Sequence, residues 1–311
     1  MQKILKSLKT EQGADVTKIG VIGAGKWGSA LAFALSEQCE VFITSRTPRE
    51  LKNFVSLEEI LKLEYIVIAI PAQQVASWLR ENFIYTNQKI LVASKGIEAT
   101  TGRFLNEIYD AYVPQENIAF LSGPSFAAEV MKSLPTALVV NATNEELSKT
   151  FASFFPSFIK TYISTDVVGA EVAGAYKNVI AIAAGICEGL GLGKNAGASL
   201  IARGLVEMHR FAISYGAKDE TFIGLSGAGD LFLTASSTMS RNFRVGLGIA
   251  KGKPLQEILE ELGEVAEGIG TTYALHAIVQ EKNLYLPIAR EVYNMLEGLE
   301  PHVSLRNFLA N

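Results

Sequence analysis

A short apolar run, Lys18 to Ile22, ends directly in Gly23-Ala24-Gly25-Lys26-Trp27-Gly28 and continues into an Ala-rich stretch. Three glycines at this spacing, set between a strand and a helix, commit the backbone to one kind of turn. The first permits a tight bend, the second lets the main chain approach a bulky ligand, and the third allows the helix to close on the strand. The helix that follows opens with unpaired N–H groups and the positive end of its dipole, so the loop suits an anion. A dinucleotide pyrophosphate is the expected occupant, and a structural Gly-rich turn is the other reading.

The pattern beyond this loop alternates short apolar runs with helical stretches, the mark of a parallel sheet with crossover helices. Strands are expected at Lys18–Ile22, Glu40–Thr44, Tyr65–Ile70, Lys89–Ser94, Asn117–Leu121, Ala137–Asn141 and Lys160–Ile163, with helices at 29–36, 74–81, 102–111, 127–131 and 145–154. After about Thr165 strand signals stop and helical periodicity runs on. The fold class expected is therefore α/β, a Rossmann-like doubly wound sheet followed by an all-helical C-terminal domain. Residues 1–16, without a long apolar core or a small-residue cleavage site, read as an extension outside the fold. Residues 17–164 would form the dinucleotide-binding domain and 165–311 the helical substrate-binding and catalytic domain.

Composition removes several function classes. With 49% hydrophobic residues, 19% charged and a net charge of -4, the chain has no polybasic block to hold a phosphate backbone, so nucleic acid is not an expected partner. Cys39 and Cys187 are the only cysteines, and His209, His276 and His302 are scattered, so neither a disulfide framework nor a metal site is expected. A reducing cytoplasmic location fits that usage.

The second half opens on Glu171 to Leu192, an apolar run of small residues interrupted by Lys177 with Asn178 beside it. The run approaches the roughly 20 apolar residues that a bilayer requires. Its weight of Ala and Gly over Leu and Phe, with Lys177 and Glu188 inside it, favours a buried helix over a membrane span. An ammonium on such a helix must be paired or neutralised, which points to chemistry, although a snorkelling surface lysine has the same pattern.

Other candidate positions lie where a doubly wound sheet places its chemistry, beyond the carboxyl ends of the strands. The second strand ends Thr44-Ser45-Arg46 where an acidic residue would favour NAD, and Arg46 suits a 2′-phosphate, so NADP is favoured with NAD possible. Lys95 follows the fourth strand, and Gly123, Pro124 and Ser125 form a turn after the fifth. Asp230 follows a Gly-rich loop, either as a functional carboxylate or as a helix N-cap. Ser240-Arg241-Asn242 combines a guanidinium with neutral donors, a match for phosphate or carboxylate. Glu264 to Gly268 either returns an acidic group to the cofactor or, as spacing alone favours, is a solvated face.

Seven segments in one order resemble the NAD(P)-dependent glycerol-3-phosphate dehydrogenases of the soluble bacterial type: GAGKWG at 23–28, SKGIE at 94–98, SGPSFAAE at 122–129, AYKNVIAIAAG at 175–185, GLSGAGDLFLT at 224–234, SRN at 240–242 and AEG at 266–268. The resemblance covers essentially the whole chain from Lys18, with two departures: the stretch from Arg46 to Tyr65 is shorter than the family pattern, and the Lys26-Trp27 pair is a variable one. It implies reversible reduction of dihydroxyacetone phosphate to sn-glycerol 3-phosphate, feeding glycerophospholipid synthesis. Carried over by position, Lys177 matches the acid/base lysine and a substrate contact. Lys95, Gly123, Ser125, Asp230, Ser240, Arg241 and Asn242 match substrate-binding positions. Gly23, Gly25, Lys26, Trp27, Gly28, Arg46, Lys95, Ala127, Arg241, Val265 and Glu267 are the cofactor positions. A homodimer is expected, as in dehydrogenases of this layout. Two alternatives stand beside this reading: a hydroxy-acid dehydrogenase of the same layout, with Arg241 on a carboxylate, and a module that senses NAD(P) without turning it over.

Overall fold

The computed structural model describes residues 16–304. The expected extension at 1–16 therefore falls, but for Val16, outside the described residues. Seven strands form one sheet: β1 (Lys18–Ile22), β2 (Glu40–Thr44), β3 (Tyr65–Ile68), β4 (Lys89–Val92), β5 (Ile118–Ser122), β6 (Thr136–Asn141) and β7 (Ile159–Ser164). They lie in the order β2-β1-β3-β4-β5-β6-β7. Because β2 and β3 flank β1 on opposite sides, the strand order reverses beside the glycine loop, and that reversal opens a crevice at the carboxyl ends.

The helices of this half are α1 (Lys26–Leu35), α2 (Leu57–Leu61), α3 (Ala72–Asn82), α4 (Leu105–Tyr109), α5 (Ala127–Val130) and α6 (Glu145–Ser153). Leu31, Leu35, Val130, Leu147 and Phe151 from α1, α5 and α6 cover one face of the sheet. Ile60, Val75, Leu79, Leu105 and Ile108 from α2, α3 and α4 cover the other. Each such side chain taken from water contributes about 1.5–3 kcal/mol, so both faces must be covered before the strands are stable.

One expectation needs correction: the sheet is not parallel throughout. β1 to β5 run parallel, but β6 pairs antiparallel to β5, and β7 then runs parallel to β6. The connection after β5 explains this. Its helix, α5, has four residues and spans only about 6 Å. A five-residue strand spans about 17 Å, so this helix is too short to serve as the crossover that packs along a strand between parallel neighbours. The chain re-enters at the end it left.

After β7 the described chain is helical: α7 (Val167–Gly189), α8 (Gly193–Ile213), α9 (Asp219–Ile223), α10 (Asp230–Ala235), α11 (Arg241–Ala250), α12 (Leu255–Leu262), α13 (Glu267–Lys282) and α14 (Pro287–Leu296). α7 is the axis of this half, buried without interruption from Gly169 to Cys187. It is long and apolar enough to cross a membrane, yet its apolar surface is covered here by its neighbours. The Ala and Gly content has a packing cause. A Cβ on Gly185 would sit 2.0 Å from the Phe243 carbonyl oxygen, and one on Gly246 would sit 2.1 Å from that of Ile182. α7 and α11 thus meet backbone to backbone.

Candidate active site

The crevice between the sheet and the helical half has a volume of about 2000 Å³ and is lined from both sides. On the sheet side the glycine loop divides its roles as the spacing predicts. Gly23 adopts φ +109°, and a Cβ there would meet the Ala69 carbonyl oxygen at 2.4 Å. A Cβ on Gly28 would lie 1.8 Å from the Gly23 carbonyl oxygen, whereas one on Gly25 would meet nothing within 4 Å. The middle glycine therefore faces open space at the start of α1, and no side chain caps the first turn of that helix. This fits a dinucleotide pyrophosphate: there is room for the group and there are free N–H donors to receive it.

Trp27 donates from Nε1 to the Ala93 carbonyl at 3.2 Å, tying α1 to the end of β4 while its ring lines the crevice. Lys26 reaches across the mouth to Glu264, joining the two halves. Arg46 is exposed and lines the outer end of the crevice beyond β2. Ala127, at the start of α5, and Val265 line the wall between.

The reacting end is built around one carboxylate. Asp230 is the first residue of α10, and the Gly-rich segment before it, expected as a flexible loop, is a π-helical turn at Leu225–Gly229. Lys177 donates to Asp230 Oδ1 at 2.5 Å and to Thr234 Oγ1 at 2.9 Å, while Lys95 donates to Asp230 Oδ2 at 2.8 Å and to the Gly123 carbonyl at 3.3 Å. Lys177 is 7% exposed and Asp230 1%, which rules out the snorkelling reading. Thr234 escaped the sequence analysis. Its signal was position, since it lies four residues after Asp230 and so on the same helical face.

Burial pushes Lys177 down to about 8; Asp230 opposes this, and the neighbouring Lys95 and Arg241 charges reinforce it. Burial would raise Asp230, but the charges of Lys177 and Lys95 outweigh it and hold the carboxyl below its usual range. The site therefore combines an ammonium that titrates near neutrality with a carboxylate that stays charged.

Ser125, Ser240, Arg241 and Asn242 all line the crevice, and three of them also have polar atoms engaged within its wall. Arg241, at the start of α11, lines the crevice and lies 3.7 Å from Glu264. Ser240 accepts from the Phe243 amide as the N-cap of α11. Asn242 donates to Asn178 Oδ1 and accepts from the Gly268 amide, each at 2.9 Å, so its amide first ties α11 to α7 and α13. Ser125 donates to the Gly123 carbonyl at 3.3 Å, in keeping with a turn.

Glu267 corrects the expectation of a solvated face. Its Oε1 accepts from the Ala72 amide at 3.1 Å, and its Oε2 is buried without a partner. Burial pushes this carboxyl up to about 7. α13 has to cross to the N-terminus of α3 to satisfy that amide, a long-range contact that spacing cannot reveal. Two of the histidines make structural contacts: His209 pairs with Asp219, and His276 stacks on Tyr293.

Residues 44–148 match the family model described as the N-terminus of NAD-dependent glycerol-3-phosphate dehydrogenase, and residues 166–305 match its C-terminus. The chain belongs to this family. The glycerol-3-phosphate dehydrogenase [NAD(P)+] of Sulfurimonas denitrificans is 82% identical over 296 residues, covering 95% of this chain and 100% of that protein. That of Nitratiruptor sp. is 61% identical over 292 residues, covering 94% and 98%. The crystal structure of glycerol-3-phosphate dehydrogenase from Coxiella burnetii superposes with a TM-score of 0.87 at 32% identity, covering 95% of this chain and 99% of that one. As a member of the glycerol-3-phosphate dehydrogenase family, the chain is an oxidoreductase that uses NAD or NADP. The resemblance drawn from seven motifs holds, and it decides against both the hydroxy-acid dehydrogenase and the sensing module.

Proposed function

We propose that the chain catalyses the reversible reduction of dihydroxyacetone phosphate to sn-glycerol 3-phosphate, with Lys177 giving and taking the proton. The observation that supports this most is the buried Asp230 carboxylate, which gathers two ammonium groups from separate halves of the chain in the crevice that holds the glycine loop. The glycine loop and the start of α1 would hold a reduced nicotinamide dinucleotide, which would supply a hydride to C2 of the ketone. As that carbon is reduced its oxygen gains charge, and the Lys177 ammonium beside it delivers a proton, leaving a neutral amine that solvent reprotonates. Lys95, which also donates to Asp230, polarises the same oxygen. Asp230 takes no proton; it keeps Lys177 charged in a site where burial favours the amine.

Arg241 and the N-terminus of α11 would hold the substrate phosphate, with the remaining Asn242 N–H as a further donor. Binding the phosphate away from C2 restricts the ketone to one approach, so losing that hold should reduce turnover as well as affinity. In this scheme residues 17–164 are the dinucleotide-binding domain and 165–311 the substrate domain of a cytoplasmic homodimer. The product would supply the glycerophospholipid backbone. The test is the loss of reduced-nicotinamide absorbance with dihydroxyacetone phosphate, plain dihydroxyacetone and a small 2-keto acid. Preference for the phosphorylated ketone supports the proposal; preference for the keto acid, or no turnover, refutes it.

A further inference from the structure

Two serines that the reaction scheme does not use lie beneath the lysines. Ser122 closes β5, Ser226 lies in the π-helical turn, and their hydroxyls meet at 2.6 Å although 104 positions separate them. Both are buried, at 2% and 4% exposure. Asn141, at the end of β6, donates to Ser122 Oγ at 2.8 Å and to the Phe120 and Val139 carbonyls at 3.0 and 3.2 Å. Strand backbone thus holds Asn141, Asn141 holds Ser122, and Ser122 holds the turn.

Each end of this contact leads to an acceptor of Lys95. Ser122 precedes Gly123, whose carbonyl receives Lys95, and the turn containing Ser226 runs into Asp230, which receives both lysines. An ammonium has no fixed direction of its own and goes where its acceptors are placed. The turn has its own reason to need an anchor. It is an i to i+5 turn, closed by Gly229 N to Gly224 O at 3.1 Å, a geometry that proteins use sparingly and often at functional sites.

We propose that the Ser122–Ser226 hydrogen bond is a positioning contact for proton transfer. It fixes the separation of the Gly123 carbonyl and the Asp230 carboxylate, and through Asp230 it sets the place of the Lys177 ammonium. The proposal rests on Lys177 as the proton donor. Leaving one of two buried hydroxyls without its partner penalises the arrangement, so either serine can report on the contact.

The test uses the full chain with Ser226→Ala, Ser122→Ala and the double variant, measuring kcat, both KM values, the pH profile and the thermal midpoint. Each single variant should lower kcat about tenfold, equivalent to about 1.4 kcal/mol. KM for the reduced nucleotide should stay within about twofold. The alkaline limb of the reduction should move to lower pH, because a displaced Asp230 holds the Lys177 proton less closely. The groups facing that ammonium are Asp230 and Thr234 from α10, Lys95 after β4 and Arg241 from α11. None of them is altered, so the limb reports placement. The double variant should be no slower than Ser122→Ala, which has already lost the serine pair together with the Asn141 bond.

A merely structural role would lower the thermal midpoint and leave the limb in place, which overturns the proposal. Wild-type kcat in a folded Ser226→Ala protein does so too, as do single effects that multiply in the double variant. If Ser226→Ala fails to fold, Ser122→Ala makes the same test from the other side of the contact. Lys177→Ala measured alongside separates the two layers: an active variant removes the proton-donor role itself, whereas unaltered serine variants with an inactive Lys177→Ala remove only the positioning contact.

Discussion

Replacing Asp230 with Asn removes the charge that holds two ammoniums together while keeping the shape of the side chain. Lys177 titrates at about 8 because burial and the nearby cations pull it down while Asp230 at 2.5 Å pushes it up. An opposite charge in contact contributes roughly one to three units, so its loss should bring Lys177 to about 6. At pH 7 the ammonium fraction would then fall from about nine-tenths to about one-tenth, a tenfold loss of the proton donor before any displacement is counted. In the reduction direction the active form is protonated, so activity falls as pH rises through the Lys177 value, and the variant should lose activity at lower pH. In the oxidation direction the active form is the neutral amine, so wild-type activity should rise through about pH 8, and that rise should also move down in the variant. The assay is kcat in both directions across about pH 6 to 9, with the thermal midpoint confirming that the variant is folded. Limbs that keep their wild-type positions would refute the electrostatic argument, whatever happened to the absolute rate.

Gly25→Ala should fold with an almost unchanged thermal midpoint, since its Cβ meets nothing within 4 Å, yet weaken binding of the reduced nucleotide in a fluorescence titration. An unaltered affinity would mean that the pyrophosphate does not approach there. Arg241→Ala should raise KM far more for dihydroxyacetone phosphate than for plain dihydroxyacetone, and should lower kcat for the former. An unchanged ratio between the two ketones would remove Arg241 from phosphate binding.

The glycine loop and the first two strands were legible because apolar runs ended at turn residues with definite steric demands. α2 was missed: its main local signal is the Ser56–Glu59 capping box, too short for helical periodicity to register. Strand direction was not legible at β6, because a run of apolar residues has no sense of travel; the brevity of α5 was the available clue. In the site, Lys177 stood out as an ammonium in an apolar helix, but nothing local joined it to Lys95. Resemblance brought the two together, and in the folded chain their common partner is Asp230. Glu267 looked solvated because a second acid, Glu264, stands three positions before it, while the amide it satisfies belongs to Ala72, 195 positions away. Asn242 looked free for phosphate because the chain does not display the demand of Asn178 and Gly268 for its amide.

The central claim is that Lys177 delivers the proton, and its most direct test is the turnover of Lys177→Ala with dihydroxyacetone phosphate, measured alongside the affinity of the same variant for the reduced nucleotide. The account predicts that turnover is abolished while nucleotide binding is nearly intact. More than about a tenth of wild-type activity, a barrier change below roughly 1.4 kcal/mol, would contradict it.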